Sequence, residues 1–174
     1  LRDGAWVPLQ VREETIEVAG GDPVTITVRS TDNGPLVSDA SDEQTDVAAV
    51  AADRVDVPPG ADEVAVALRW TALQPGTTGD AILQLNRAQG FADFRAAARK
   101  FQVPSQNLLY ADVDGAIGYQ SPGLIPVRQV GDGTLPQPGW DTRTRWTGYI
   151  PFRALPTVYD PPSGYIVTAN NQVV

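Results

Sequence analysis

The run Tyr165-Ile166-Val167-Thr168 leads into two adjacent amides, Asn170 and Asn171, near the end of the chain. A side-chain amide donates hydrogen bonds through nitrogen and accepts them at oxygen, but at neutral pH it is neither a nucleophile nor a base. Such a pair is either a set of ordinary polar groups at the end of a strand or one half of a catalytic apparatus whose reactive half lies elsewhere. The usual reactive companions are missing, because the 174 residues contain no His and no Cys. Their absence excludes a Ser-His-Asp triad built from this chain, thiolate catalysis and Cys-ligated zinc. What remains is carboxylates, hydroxyls, amides, arginines or a terminal amine.

Other residues of suitable type have ordinary readings beside the chemical ones. Ser41, Ser105, Ser121 and Ser163 have no imidazole to activate them. Asp112 and Asp114 flank Gly115, where Asp before Gly is a turn preference first and a carboxylate dyad second. Asp39, Asp42, Glu43 and Asp46 crowd together without the alternation and the central glycine of an EF-hand. The run "GDGTLPQPG" (131–139) has glycines but no Walker lysine and no helix after it, so it reads as a tight loop rather than a phosphate cradle. Asp132 with nearby carbonyls is its cation-holding alternative.

The elements that must position these groups are mainly β. "AWVPLQV", "ETIEVAG" and "PVTITVRS" are short, β-branched and roughly alternating, with turns at Gly20-Gly21 and Asn33-Gly34. Residues 39–62 are acidic and poor in large apolar groups, and predict a mobile surface excursion. "EVAVALRWTAL" (63–73) predicts a strand with Val64, Val66 and Leu68 on one face. A helical pair follows, the first helix capped by Asp80 and the second carrying Phe91, Phe94, Ala98 and Phe101 on one stripe. Leu109–Val113 and Ala116–Gln120 predict a hairpin about Asp114-Gly115, and Tyr165–Thr168 a last strand. Around 129–162 the prolines and glycines impose an irregular path, pinned by Trp140, Trp146, Tyr149 and Phe152. The fold class is α+β, with 1–62 a β-rich excursion carrying the acidic loop and 63–174 the core.

Composition narrows the partners. An apolar fraction of 42% and a charged fraction of 20% are those of a globular protein. A net charge of −8, with Lys100 the single lysine, argues against a nucleic-acid surface. No apolar run approaches the roughly 18–20 residues of a membrane-spanning helix, and Leu1 opens onto charged residues with no signal-peptide pattern. No Met is present, so a processed chain or an excised segment of a longer protein is expected.

The order of the local features is more specific than any one of them. "LRW" (68–70), "NRAQGFADFRAAARKFQVPSQNLLYADVDGAIGYQSPGLIPVR" (86–128), "GDGTLPQPGW" and "WTGYIPFRALPTVYDPPSGYIVTANN" resemble the β-chain of the penicillin acylases. These are penicillin amidase-type N-terminal-nucleophile hydrolases. The likeness is strongest over 68–174 and extends loosely to the start through "DGAWVPLQVREETIEVAG" and "TDNGPLVSD".

That resemblance implies hydrolysis of a linear N-acyl amide by a serine at the head of the β-chain, with its own α-amine as base. An α-amine has an unperturbed pKa of roughly 7.7–8, so histidine is dispensable. The position matching the family's oxyanion-stabilising Asn is Asn170, with Asn171 in a supporting role. Gln106 and Asn107 fall near the family's acyl pocket, or their amides simply tie down the Pro-Ser-Gln-Asn bend. Gly133 is the nearest counterpart of a backbone carbonyl offered to a structural calcium in the full-length enzyme; catalysis itself needs no cofactor. The implied architecture is a share of an αββα sandwich.

Leu1 is not the family nucleophile, and the expected "Ser-Asn-x-Trp" opening is absent from this chain. The segment is therefore expected to be inactive alone and to partner the remaining α- and β-chain segments. Self-association through uncovered edges is a further expectation, as is a periplasmic or extracellular location. The substrate implied is a small N-acyl compound: a β-lactam side-chain amide, an acyl-homoserine lactone or a related molecule. The alternative is a non-catalytic β-rich binding or structural module, using the acidic stretch and the aromatics near 140–152 as its surface.

Overall fold

The computed structural model describes residue 1, residues 4–169 and residue 171. Its backbone divides into two compact units, residues 1–70 with 128–145, and residues 71–127 with 146–174.

The first unit is built on an antiparallel sheet of β1 (Gln10–Ile16), β2 (Val24–Thr31) and β3 (Gly34–Pro35), in that order. β1 and β2 pair in register from Gln10 opposite Ser30 to Ile16 opposite Val24. The Asn33-Gly34 signal marks the turn into β3, where Gly34 has φ +113° and a Cβ would lie 2.0 Å from the carbonyl oxygen of Leu68. Only glycine allows the two backbones to approach so closely. Leu36 and Ala48 are the buried apolar residues of this unit.

The acidic excursion is not a structureless loop. Asp42–Ala52 form helix α1, and the Ser41 hydroxyl caps it by accepting from the Gln44 N–H at 3.3 Å. Asp42 and Glu43 occupy its first turn, where the helix dipole favours negative charge. Acid content argued for disorder, but Ser-x-x-Gln followed by an alanine-rich run is a helix start with strong helix formers behind it. Arg29 on β2 locks this region from the side: Nε and Nη2 donate to the two Asp39 oxygens at 2.8 and 2.6 Å, and Nη1 to Glu63 at 3.3 Å. That pairing holds the Asp39 carboxyl below its usual range.

The expected strand at 63–73 is reduced to one bridge, Leu36 opposite Ala67, with Val37 and Leu68 N–H donating to Val66 and Pro35 carbonyls at 2.9 Å each. Residues 71–73 already turn into a short 3-10 helix. The β-branched pattern set an extended path there, but a two-residue β3 leaves too little partner to extend the ladder.

The second unit holds helices α2 (Thr78–Leu85) and α3 (Phe91–Ala98) and an antiparallel sheet of β4 (Leu108–Ala111), β5 (Ile117–Gln120) and β8 (Thr157–Tyr159), with β5 central. Two further strands, β6 (Pro126–Arg128) and β7 (Trp146–Tyr149), pair with each other. α2 begins two residues before the expected cap. Thr77 takes the N-cap position, its hydroxyl donating to the Lys100 carbonyl at 2.8 Å, and Asp80 lies in the first turn. The hairpin about Asp114-Gly115 forms as its sequence predicts.

The apolar stripe of α3 buries Phe94, Ala97 and Ala98. Phe91 sits among rings, 4.5 Å from Tyr159, 5.5 Å from Tyr110 and 5.8 Å from Phe94 between centroids. The opposite flank places Arg95 and Arg99 over the ring of Phe152 at 5.5 and 5.2 Å. Arg95 Nε also donates to Gln120 Oε1 at 3.0 Å, and Gln120 Nε2 donates to the Ser121 and Pro156 carbonyls at 3.2 Å each. Gln120 is wholly buried, so this satisfaction of both amide ends is what makes its burial tolerable.

Candidate functional site

The Pro-Ser-Gln-Asn bend is anchored on both flanks. Before it, the Thr78 hydroxyl accepts from the Gln102 and Val103 N–H groups at 3.1 and 3.2 Å, while Gln102 Oε1 accepts from the Thr77 N–H at 3.1 Å. Within it, Ser105 Oγ and the Gln106 N–H both donate to the Pro122 carbonyl, at 3.0 and 3.3 Å. The helix start of α2 and the segment after β5 thus both hold the bend through hydrogen bonds. Gln106 and Asn107 are both half-buried.

Asn107 has both ends of its amide engaged. Its Oδ1 accepts a hydrogen bond from the Tyr119 hydroxyl, and its Nδ2 donates to the Asn171 carbonyl at 3.2 Å. Tyr119 stands on β5, opposite Leu109 on one side and Val158 on the other. Thr168 Oγ1 donates to Asn171 Oδ1 at 3.4 Å. Asn170 itself lies outside the described residues. The stretch 165–169 is not a strand: it makes no ladder, and Tyr165 and Val167 are well exposed. Alternating apolar residues supplied the pattern, but a strand also needs a paired neighbour, and the five-residue stretch has none among the described residues.

The paired acids separate into structural roles. Asp112 Oδ1 accepts from the Asp114 and Ala116 N–H groups at 3.0 and 2.9 Å, and Oδ2 accepts from the Tyr110 hydroxyl at 2.8 Å. The Tyr110 bond, followed by those backbone donors, holds its carboxyl below the usual range, and the same bond pushes the Tyr110 phenol up to about 12. Asp112 is a turn carboxylate bound to its own hairpin. Beside the hairpin, Leu109, Tyr110, Ala111, Ile117, Gly118 and Ile166 line an open, mainly apolar depression of about 260 Å³. No carboxylate or arginine lines it, so it can seat an apolar group but not activate one.

Gly133 lies on an exposed loop with φ +87°. Asp132 Oδ1 accepts from both the N–H and the hydroxyl of Thr134, at 2.9 and 2.7 Å, and the hydroxyl is the first cause of its lowered carboxyl pKa. A Cβ on Gly133 would come within 2.8 Å of an Arg128 guanidinium nitrogen. Among the described residues no three potential metal ligands of the His, Cys, Asp or Glu types converge. A loop with one occupied carboxylate and an arginine against it does not by itself fit a calcium ion. The aromatics near 140–152 also divide: Trp140 belongs to the first unit, and Trp146, 6.2 Å from Tyr149, to the second.

Sequence reasoning did not identify Tyr119 as a site residue. It is 12 positions from Asn107, and Asn171 is 64 positions away, so no local spacing announces the group. The one available signal was the open alternative that the amides of the bend tie down backbone.

Two mainly antiparallel β units, with few helices and a hydrogen-bonded amide cluster beside the last residues, define a mixed α/β protein. The penicillin amidase family model matches residues 1–174. The chain is 36% identical over 172 residues to acyl-homoserine lactone acylase QuiP of Pseudomonas fluorescens, covering 99% of this chain and 19% of that protein. It is 37% identical over 175 residues to penicillin G acylase of Escherichia coli, covering 98% and 18%. The solved structure of a thermostable penicillin G acylase from Alcaligenes faecalis is similar with a TM-score of 0.74 at 28% identity, over 99% of this chain and 28% of that one. The chain belongs to the penicillin amidase family. It spans about a fifth of the length of the curated relatives it matches.

Proposed function

We propose that this chain is a segment of the β-chain of a penicillin-acylase-like amidohydrolase that cleaves N-acyl amide bonds. The family match across residues 1–174, together with relatives named as acylases over nearly the same span, carries this reading. The substrate class follows from those relatives: the side-chain amide of a β-lactam, an acyl-homoserine lactone or a related small N-acyl compound.

In this mechanism an N-terminal serine, supplied by another segment, attacks the amide carbonyl while its own α-amine takes the proton. The tetrahedral intermediate carries negative charge on oxygen, and the Asn170 side-chain N–H is the donor this chain contributes to it. Gln106, at the bend beside Asn107, is its contribution to the acyl pocket. The segment supplies part of an αββα sandwich, partnered by the remaining α- and β-chain segments of an exported enzyme. Any structural calcium of that enzyme is held mainly by those other segments. Uncovered β edges would favour self-association of the chain alone.

The test is Asn170→Ala in the full-length protein. Removing one aimed oxyanion donor lowers kcat by about 10²–10³-fold. This chain alone, assayed with a chromogenic phenylacetyl amide, should give no turnover. An unchanged kcat in Asn170→Ala, or clear turnover by the chain alone, contradicts the proposal.

A further inference from the structure

One flank of α3 sets two positive charges against a single ring. Arg95 and Arg99 are four residues apart, side by side on the helix, with guanidinium carbons 5.5 and 5.2 Å from the centroid of Phe152. The ring and the C-terminal end of α3 both favour cations, which accounts for positive charge here. They do not account for the way Arg95 is held. Its Nε donates to Oε1 of the wholly buried Gln120 at 3.0 Å, and Gln120 is itself fixed by the Ser121 and Pro156 carbonyls. A neutral amide thus orients the guanidinium plane while leaving its charge uncompensated and its two Nη groups uncommitted.

Among the described residues no carboxylate pairs with either arginine. Arginines of the other unit do have acids, as Arg12 has Glu14, Arg29 has Asp39 and Glu63, and Arg143 has Asp141. Acids of this unit are engaged by backbone: Asp93 accepts from the Gln89 N–H, Asp112 from its own hairpin and Asp160 from the Ile117 N–H. Like charges held together without a counter-charge repel, so the pair is complementary to an anion that both can reach. Side chains alternate across a strand, so Gln120 and Gly118, with α3 against them, lie on the face of β5 opposite Tyr119 and its partner Asn107. The arginines are therefore turned away from the amide cluster.

We propose that Arg95 and Arg99, together with Phe152, form a carboxylate site that receives an Asp or Glu side chain from another segment of the same enzyme. A carboxylate presents two oxygens in one plane, and guanidinium groups pair with it through parallel N–H···O bonds. The inference rests on reading this chain as one segment of a longer acylase, since it spans 19% of one acylase relative and 18% of another.

The experiment uses the full-length enzyme. Arg99→Lys keeps the charge and supplies an amine that a water-soluble carbodiimide joins to a carboxylate in contact with it. The carbodiimide activates the carboxylate, the amine displaces the urea so formed, and an amide results with net loss of water. Lys100, the single lysine of the segment, is replaced by Lys100→Arg so that the amide reports on residue 99. Peptide mass spectrometry is expected to show residue 99 joined to one Asp or Glu outside residues 1–174. Arg99→Glu brings like charges together and is expected to lower the yield of assembled enzyme by about 10-fold or more. Replacing the joined acid by Lys should then restore it.

Three results would overturn the proposal: no amide at residue 99, an amide to an acid within residues 1–174, or full-yield assembly of Arg99→Glu. So would sodium succinate shielding Arg99 from phenylglyoxal, because a site open to a free carboxylate is not filled by one of the enzyme's own. A full-length protein that forms the cross-link but hydrolyses no N-acyl amide would instead remove the acylase reading and leave the carboxylate site standing.

Discussion

Gly118, on the central strand β5, faces the ring of Phe91. An alanine Cβ there would lie 2.4 Å from Phe91 Cε2 and 2.7 Å from Cδ2. Ordinary contact begins at 3.4 Å, so the ring must retreat by 1.0 Å, the difference between 3.4 and 2.4. Retreat disturbs three ring contacts at once, with Tyr159, Tyr110 and Phe94. Aromatic pairs contribute about 0.5–1.5 kcal/mol each beyond their buried area, and partial loss of three agrees with the ~1–3 kcal/mol usual for overpacking. Backbone conformation does not add to the cost, since Gly118 is absent from the residues with positive φ.

Gly118→Ala is therefore expected to destabilise by about 2 kcal/mol, which lowers a urea midpoint by about 1 M at an m-value of about 2 kcal/mol/M. Tyrosine and tryptophan fluorescence would follow the transition. The decisive comparison repeats the substitution in a Phe91→Ala background. With the ring gone the added methyl meets open space, and Gly118→Ala should fall to within about 0.5 kcal/mol of neutral. An equal cost in both backgrounds would refute the steric argument and place the origin of the effect elsewhere in β5.

Two further outcomes test the local electrostatics and the helix start. Because the folded Tyr110 phenol is pushed up to about 12, its hydrogen bond contributes stability that is full below the unfolded value of about 10 and is lost as pH rises through 12. Asp112 is depressed, so its contribution is present above about 3.9 and is lost as pH falls through its lower folded value. Tyr110→Phe should remove the late phenol from a 295 nm titration and abolish that alkaline loss; a titration with no late phenol in the unsubstituted protein would contradict the bond. Ser41→Ala should cost about 1 kcal/mol by removing the cap of α1, with helical circular dichroism melting earlier; an unaltered melt would show that the cap is not stabilising.

Much of the framework was legible locally. Asn33-Gly34 and Asp114-Gly115 mark turns because glycine alone adopts φ values of +113° and +91° without strain. The stripe on α3 announced the burial of Phe94 and Ala98 because helical periodicity places them on one face. The two strand readings that failed, 63–73 and 165–168, had the right residues but lacked a long enough paired neighbour. The acidic stretch failed in the other direction, since its charge concealed a capped, alanine-rich helix.

The candidate site divides in the same way. By itself the sequence established that no imidazole or thiol chemistry runs on this chain, and it carried the motif order that marks the family. Only the tertiary structure joined Tyr119, Asn107 and Asn171, residues 12 and 64 positions apart. It likewise committed the Asp112 carboxylate to its own hairpin and set Arg128 against Gly133. Turns and caps are settled within a few residues, where backbone sterics act. Hydrogen-bond chains between distant residues depend on which strands pair, and pairing is decided by the whole fold.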